Sequence, residues 1–131
     1  MKKTILNYSF IALLLLTVFS SCKKDDDSCT APSLSENIIG TWAPEWGTTT
    51  VEFNADGTLD DPGSLIIGTE INGVVYSDKT YNVVSDEEIY VRAADPNNST
   101  LAAEATLGVT VNECDKITIS ILGMEASMNR E

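Results

Sequence analysis

From Leu101 to Asn112 every second residue is apolar. Leu101, Ala103, Ala105, Leu107, Val109 and Val111 fall on one side, and Glu104, Thr106, Thr110 and Asn112 on the other. Successive side chains of a strand point to opposite faces, so this period of two means a strand with one dry face and one wet face. The same alternation returns in Thr49, Val51 and Phe53, in Tyr81 and Val83, in Ile89 and Val91, and in Ile117, Ile119 and Ile121. Ala126, Met128 and Arg130 continue it to the end of the chain. Helical spacing is confined to a short stretch after Ser33. There Ser33 and Glu36 have the spacing of a capping box, and Gly40 stops the turn.

Turn residues divide the alternating runs. Asn54-Ala55-Asp56-Gly57 suits a three-residue loop that sets Phe53 opposite Leu59, and Asn72-Gly73 is a strong hairpin signal that returns Val74 and Tyr76 opposite Ile71 and Thr69. Ser85-Asp86-Glu87 sets Tyr81 and Val83 against Ile89 and Val91, with a bulge expected near Ser77-Asp78 where the parity changes. The expected strands are 39–45, 48–54, 58–71, 74–84, 87–93, 101–112, 116–122 and 125–130, with 58–71 interrupted at Asp60-Asp61-Pro62-Gly63. Short connections make an up-and-down antiparallel meander the simplest topology. Eight strands with one apolar face hide their edges by closing, so the expected fold for 33–131 is all-β: a small eight-stranded antiparallel barrel preceded by a short helix.

The start of the chain has a different character. Lys2 and Lys3 precede an apolar run from Phe10 to Phe19, and Ser20 and Ser21 lead to Cys22. Basic, then apolar, then small is the layout of a secretory signal, and the run is too short for a spanning helix. Residues 1–21 are therefore expected to be a signal peptide. The polar stretch that follows, to residue 32, reads as a tether.

Composition removes several classes of function. The formal net charge of −12 leaves no basic stripe for nucleic acid. The chain has no histidine, which excludes Ser/His and Cys/His nucleophiles and histidine metal sites. Asp60-Asp61 and Asp86-Glu87-Glu88 could supply paired carboxylates for sugar hydrolysis, but they fall in turns without aromatic platforms and read as solvated turn acids. Asn54-x-Asp56-Gly57 lacks the remaining ligands of a calcium loop. No cofactor, metal site or catalytic residue is expected. In an oxidising compartment Cys29 and Cys114 suggest one disulfide, with two free thiols as the alternative.

Two resemblances add to this reading. Phe19-Ser20-Ser21-Cys22 resembles the lipobox of bacterial lipoproteins, which implies that Cys22 becomes the first mature residue and carries acyl chains, palmitate among them. Several chains on one cysteine are enough for stable membrane anchoring. Lys23-Lys24-Asp25-Asp26-Asp27 resembles the charged tether that takes some Gram-negative lipoproteins to the cell surface, which implies an outer-membrane protein facing the surface or the periplasm. Further on, Gly40-Thr41-Trp42 at the start of the first strand, with Arg130 at the end of the last, resembles the lipocalin and wider calycin pattern. So does Ile38 to Trp42 followed by Asn54-Ala55-Asp56-Gly57-Thr58, which is similar to lipocalin-like domains of surface lipoproteins. The likeness implies a barrel closed at its base by Gly40, Trp42 and Arg130.

The chain is shorter than a full lipocalin and has no helix after the barrel. On this reading the open mouth is formed by 43–47, 72–73, 94–100 and 123–124, with Trp46 beside it. The inward positions nearby are Thr49, Tyr76, Val91, Leu101, Ala103, Ile121 and Ala126. Either they line a pocket for a small apolar or amphipathic ligand, or the barrel is packed with its own side chains. The other functional alternative is a non-catalytic adaptor whose loops contact an envelope protein or a glycan.

Overall fold

The computed structural model describes residues 29–131; the expected signal peptide, Cys22 and the expected tether up to residue 28 lie outside the described residues. One short helix, α1 (Leu34–Asn37), precedes ten strands. They are β1 (Gly40–Pro44), β2 (Val51–Phe53), β3 (Leu59–Asp60), β4 (Glu70–Ile71), β5 (Val74–Val75), β6 (Asp78–Ser85), β7 (Glu88–Asp95), β8 (Asn98–Asn112), β9 (Lys116–Ile121) and β10 (Met124–Arg130). Eight of them form one antiparallel sheet in the order β3-β2-β1-β10-β9-β8-β7-β6. Its two outer strands meet where Thr58 bridges Thr80 and Tyr81 N–H donates to the Gly57 carbonyl at 2.9 Å. The sheet is thus nearly closed into a barrel.

Period-two patterning explains why it closes. Trp42, Val51, Phe53, Leu59, Ile89, Val91, Leu107, Ile117, Ile119 and Met128 all turn to one interior and are buried there. The registers follow the turn chemistry: Phe53 stands opposite Leu59, Ile71 opposite Val74, Tyr81 opposite Val91 and Val83 opposite Ile89. Gly57 takes a φ of 86° to complete its loop, and Asp56 accepts from both the N–H and the hydroxyl of Thr58.

Several boundaries differ from expectation, each for a local reason. Residues 58–71 are not one strand. β3 ends at Asp60, the chain leaves the sheet, and β4 and β5 form a separate two-stranded hairpin. The Asp61 carboxylate accepts N–H bonds from Leu65, Ile66 and Ile67, so the backbone coils around it instead of extending. The expected strand 74–84 is split accordingly, with the break at Tyr76-Ser77 where a bulge was expected; the register shift falls between Val83 and Ser85 instead. β7 and β8 run further than expected, to a tight turn at Pro96-Asn97 that Asp95 caps by accepting from Asn97 N–H. The capping box does not form: the Ser33 side chain meets Ser35, and Leu34 N–H is taken by Asp86 from the turn between β6 and β7.

Tyr81 ties β6 to the first hairpin. Its ring meets Phe53 edge-on at 5.0 Å, and its hydroxyl donates to the Asn54 carbonyl at 2.8 Å. Burial first, and then the charge of Asp56, raise its pKa above the ordinary 10.0. The native state therefore holds this proton more tightly than the unfolded chain does. Its contribution to stability is complete below about pH 10 and is lost as pH rises through the raised value. Melting temperature should fall steeply above pH 10 in the wild type and less steeply in Tyr81→Phe. Equal slopes would contradict this assignment.

Candidate functional site

The two ends of the barrel are built differently. At the base, Trp42 is fully buried and sits opposite Arg130 in the β1–β10 ladder. The guanidinium carbon lies 4.3 Å from the indole ring centre, within the range of a cation–π contact. The indole N–H donates to the Ile38 carbonyl at 2.7 Å. Arg130 donates through Nε to the Cys114 carbonyl at 3.0 Å, through Nη1 to the Ile39 carbonyl at 3.1 Å, and through Nη2 to Asn37 Oδ1 at 2.8 Å and to the Asn37 carbonyl. Asn37 is buried and passes the connection on, donating to Asn112 Oδ1 and the Glu113 carbonyl, each at 2.7 Å.

Cys29 and Cys114 are joined by a disulfide at the same end. Gly40 has a φ of 130°, and a Cβ there would stand 3.0 Å from Arg130 Nη1, so this position needs glycine on two counts. Every polar group named here points at another, and none is offered to a ligand. The base is a plug.

The other end is more open. Trp46 is 60 % exposed and, with Thr49, borders a cleft of about 210 Å³. Pro44, Gly47 and Thr48 complete one side of it, and Gly63, Ser64 and Leu65 form the other. The remaining candidate ligand positions divide. Val91 and Ala126 are buried in the core, and Tyr76, Ala103 and Ile121 are half-buried against it. Leu101 is exposed on the long hairpin of β7 and β8, whose outer strand is laddered to β9 only over Gly108–Asn112. Trp46 and Thr49 are thus brought together, and the other six are not part of that cleft.

The segment 61–69, here called the strap, helps to fill the interior, in line with the alternative of a barrel packed with its own side chains. Ile66 and Ile67 are both buried in the core cluster that contains Val91 and Ala93. Their placement depends on Asp61, which is 2 % exposed, and Lys79, which is 7 % exposed. Lys79 Nζ lies 3.4 Å from the Asp61 carboxylate, and it donates to the Asp61 carbonyl at 2.6 Å and to Thr69 Oγ1 at 3.2 Å. Asp61 is therefore not a solvated turn acid. Its carboxylate is occupied by three backbone N–H groups and an ammonium, which leaves no free acid beside Asp60 for hydrolysis.

Asp61, Lys79, Ile66 and Ile67 were missed in the sequence, although one signal was present. Lys79 shares parity with Tyr81 and Val83, so a lysine was pointing into an apolar interior and required a buried partner.

A second cleft of about 550 Å³ runs along the outer seam, lined among others by Asp60, Asp78, Arg92 and Ser99. Among the described residues, no three acidic or cysteine side chains come together in a way that could hold a metal ion. Compared with protein-family models, with curated proteins and with solved structures, the chain matches none.

Proposed function

We propose that this chain is a lipid-anchored envelope lipoprotein with a lipocalin-like domain, which takes up a small apolar or amphipathic molecule at the barrel mouth without catalysis. The observation that carries the proposal is Trp46. A large indole left 60 % exposed over a cleft that Pro44 and Leu65 also line, in a barrel whose opposite end is sealed, is an available contact surface rather than a packed one.

The anchor supports this orientation. Cys22 lies seven residues before Cys29, and a chain spans at most about 3.5 Å per residue, so acylation there would hold the sealed base close to the outer membrane. The mouth would then face away from the lipid.

Titration with N-phenyl-1-naphthylamine, an apolar probe, should quench or shift the exposed tryptophan emission, and Trp46→Ala should remove that response. Buried Trp42 supplies the unresponsive background. A probe response unchanged in Trp46→Ala would refute the site. For the anchor, radiolabelled palmitate should enter the wild-type protein in cells and not Cys22→Ser.

The adaptor reading draws on a different feature. The outer seam cleft carries Asp60, Asp78, Lys79 and Arg92, charges of both signs that suit a protein or glycan surface. Crosslinking from that seam would separate the two readings.

A further inference from the structure

The lining of the mouth cleft is unlike the rest of this acidic chain. None of its residues carries a charge, although charged residues make up 21 % of the sequence. Glu45, the neighbour of Trp46, is engaged elsewhere, with its carboxylate 2.7 Å from Lys116 Nζ. What lines the cleft is of two kinds. Trp46 presents a broad apolar ring, and Pro44 and Leu65 stand with it. Around them come the hydroxyls of Thr48, Thr49 and Ser64.

Base and mouth treat their polar groups in opposite ways. At the base the Trp42 indole N–H is taken by the Ile38 carbonyl. At the mouth only Ser64 is occupied, since its Oγ lies 2.5 Å from Thr69 Oγ1 and accepts from Thr69 N–H at 3.1 Å. Thr48 and Thr49 are exposed, and among the described residues neither hydroxyl has a protein partner.

The space is small and fixed. At about 210 Å³ it falls below the roughly 300–1,000 Å³ typical of small-molecule sites. One wall is the strap. Lys79 holds it through the Asp61 carbonyl and Thr69 Oγ1, and Tyr76 N–H donates to the Thr69 carbonyl at 2.7 Å. A Cβ at Gly63 would stand 3.2 Å from Thr49 Cβ, so the two walls already come close there. The cleft takes something the size of a single ring and does not deepen into the core.

We infer that the mouth cleft binds one neutral sugar ring, stacked on the Trp46 indole with its hydroxyls towards Thr48 and Thr49. This rests on the ligand-binding reading above and narrows it. A pyranose is amphipathic in the required way, because its C–H groups make one face apolar and hydroxyls surround its rim. The apolar face gains contact with the indole, and the rim pairs with the threonines as water leaves. An alkyl chain would leave those hydroxyls unpaired. An anionic sugar meets a net charge of −12 and finds no cation in the lining. The ring lies on the rim, outside the packed interior, where a terminal sugar of a glycan has access.

The test follows the indole N–H signals of Trp46 and Trp42, and the amides of Thr48 and Thr49, by NMR during titration. The probes are the methyl glycosides of glucose, galactose, mannose and N-acetylglucosamine. Methyl glucuronide and cyclohexanol serve as an anionic and an apolar ring of similar size. At least one neutral glycoside should shift Trp46 and leave Trp42 still, with a dissociation constant on the order of 1 mM. Cyclohexanol and the glucuronide should bind at least about tenfold more weakly, because a site that pairs with hydroxyls rejects an analogue lacking them. Thr48→Val with Thr49→Val should weaken the glycoside by a similar factor and leave the naphthylamine response in place. Trp46→Ala should abolish the amide shifts without lowering the melting temperature.

Cyclohexanol or the glucuronide binding as tightly as the best neutral glycoside would overturn the inference, and so would full glycoside affinity in the double valine variant. If no glycoside moves Trp46 while the naphthylamine probe does, the sugar assignment falls and the mouth reading stands. Silence towards glycosides and probe alike would overturn both.

Discussion

Replacing Asp61 with alanine should lower the unfolding free energy by about 3–5 kcal/mol in urea titrations, more than any other acidic residue of the chain. Two losses combine. The Lys79 ammonium, 7 % exposed, keeps one carbonyl and one hydroxyl but loses its counter-charge. The N–H groups of Leu65, Ile66 and Ile67 lose their acceptor, and an orphaned buried donor costs about 1–3 kcal/mol. Asp61→Asn should cost less, because one acceptor oxygen survives. Adding Lys79→Met to Asp61→Ala should recover part of the loss by removing the unpaired charge. The exposed pair of Lys116 and Glu45 is a useful contrast. Its oxygen lies at only 2.7 Å and raises the lysine pKa, yet solvent screens it, and Glu45→Ala should leave the midpoint unmoved. A loss below about 1 kcal/mol in Asp61→Ala would mean that the strap is not held as described.

The second large effect is expected at the base. Trp42→Ala should cost about 3–5 kcal/mol, the range for removing a large buried aromatic side chain. The cavity would open beneath Arg130, which would lose its ring contact while keeping its carbonyl acceptors. Arg130→Lys is the more discriminating variant. A lysine retains the charge but lacks the planar fork that serves Cys114, Ile39 and Asn37 together, so it should be destabilising by about 1–3 kcal/mol. Thermal and urea unfolding with the Cys29–Cys114 bond intact would show both effects. A neutral Arg130→Lys would reduce the guanidinium to a point charge and contradict the plug.

The barrel was legible in the sequence because its signal is local and repeated. Each run alternates with period two, each turn carries the glycine, asparagine or aspartate that its geometry needs, and together they set registers such as Phe53 with Leu59 and Tyr81 with Val91. The strap was not legible, because what makes it is a side chain competing with the sheet for backbone N–H groups. Leu65 and Ile67 alternate as a strand would, and nothing near them shows that Asp61 captures their donors. Pro62, and Ser64 at a φ of 53°, mark an interruption without revealing its shape. For the same reason the sequence left open whether the interior is a pocket or is packed. Small residues on a wall imply space, and the side chains that fill it arrive from a loop read as strand. At the mouth, Trp46 and Thr49 lie together as the strand ends imply, whereas Leu101 was misplaced because the expected loop 94–100 is a tight turn at Pro96-Asn97, which lengthens β7 and β8 on both sides.

Closure of the sheet is the claim on which plug, strap and mouth all depend, and the amide of Tyr81 reports on it directly. Strand β6 pairs with β7 on one side, and Tyr81 N–H points the other way, across the seam to the Gly57 carbonyl at 2.9 Å. In hydrogen exchange followed by NMR, a closed barrel predicts that this amide is protected to the same degree as the ladder amides of β7 and exchanges only on global unfolding. Exchange of Tyr81 at the rate of a free edge strand, with β7 still protected, would show an open sheet and contradict the account.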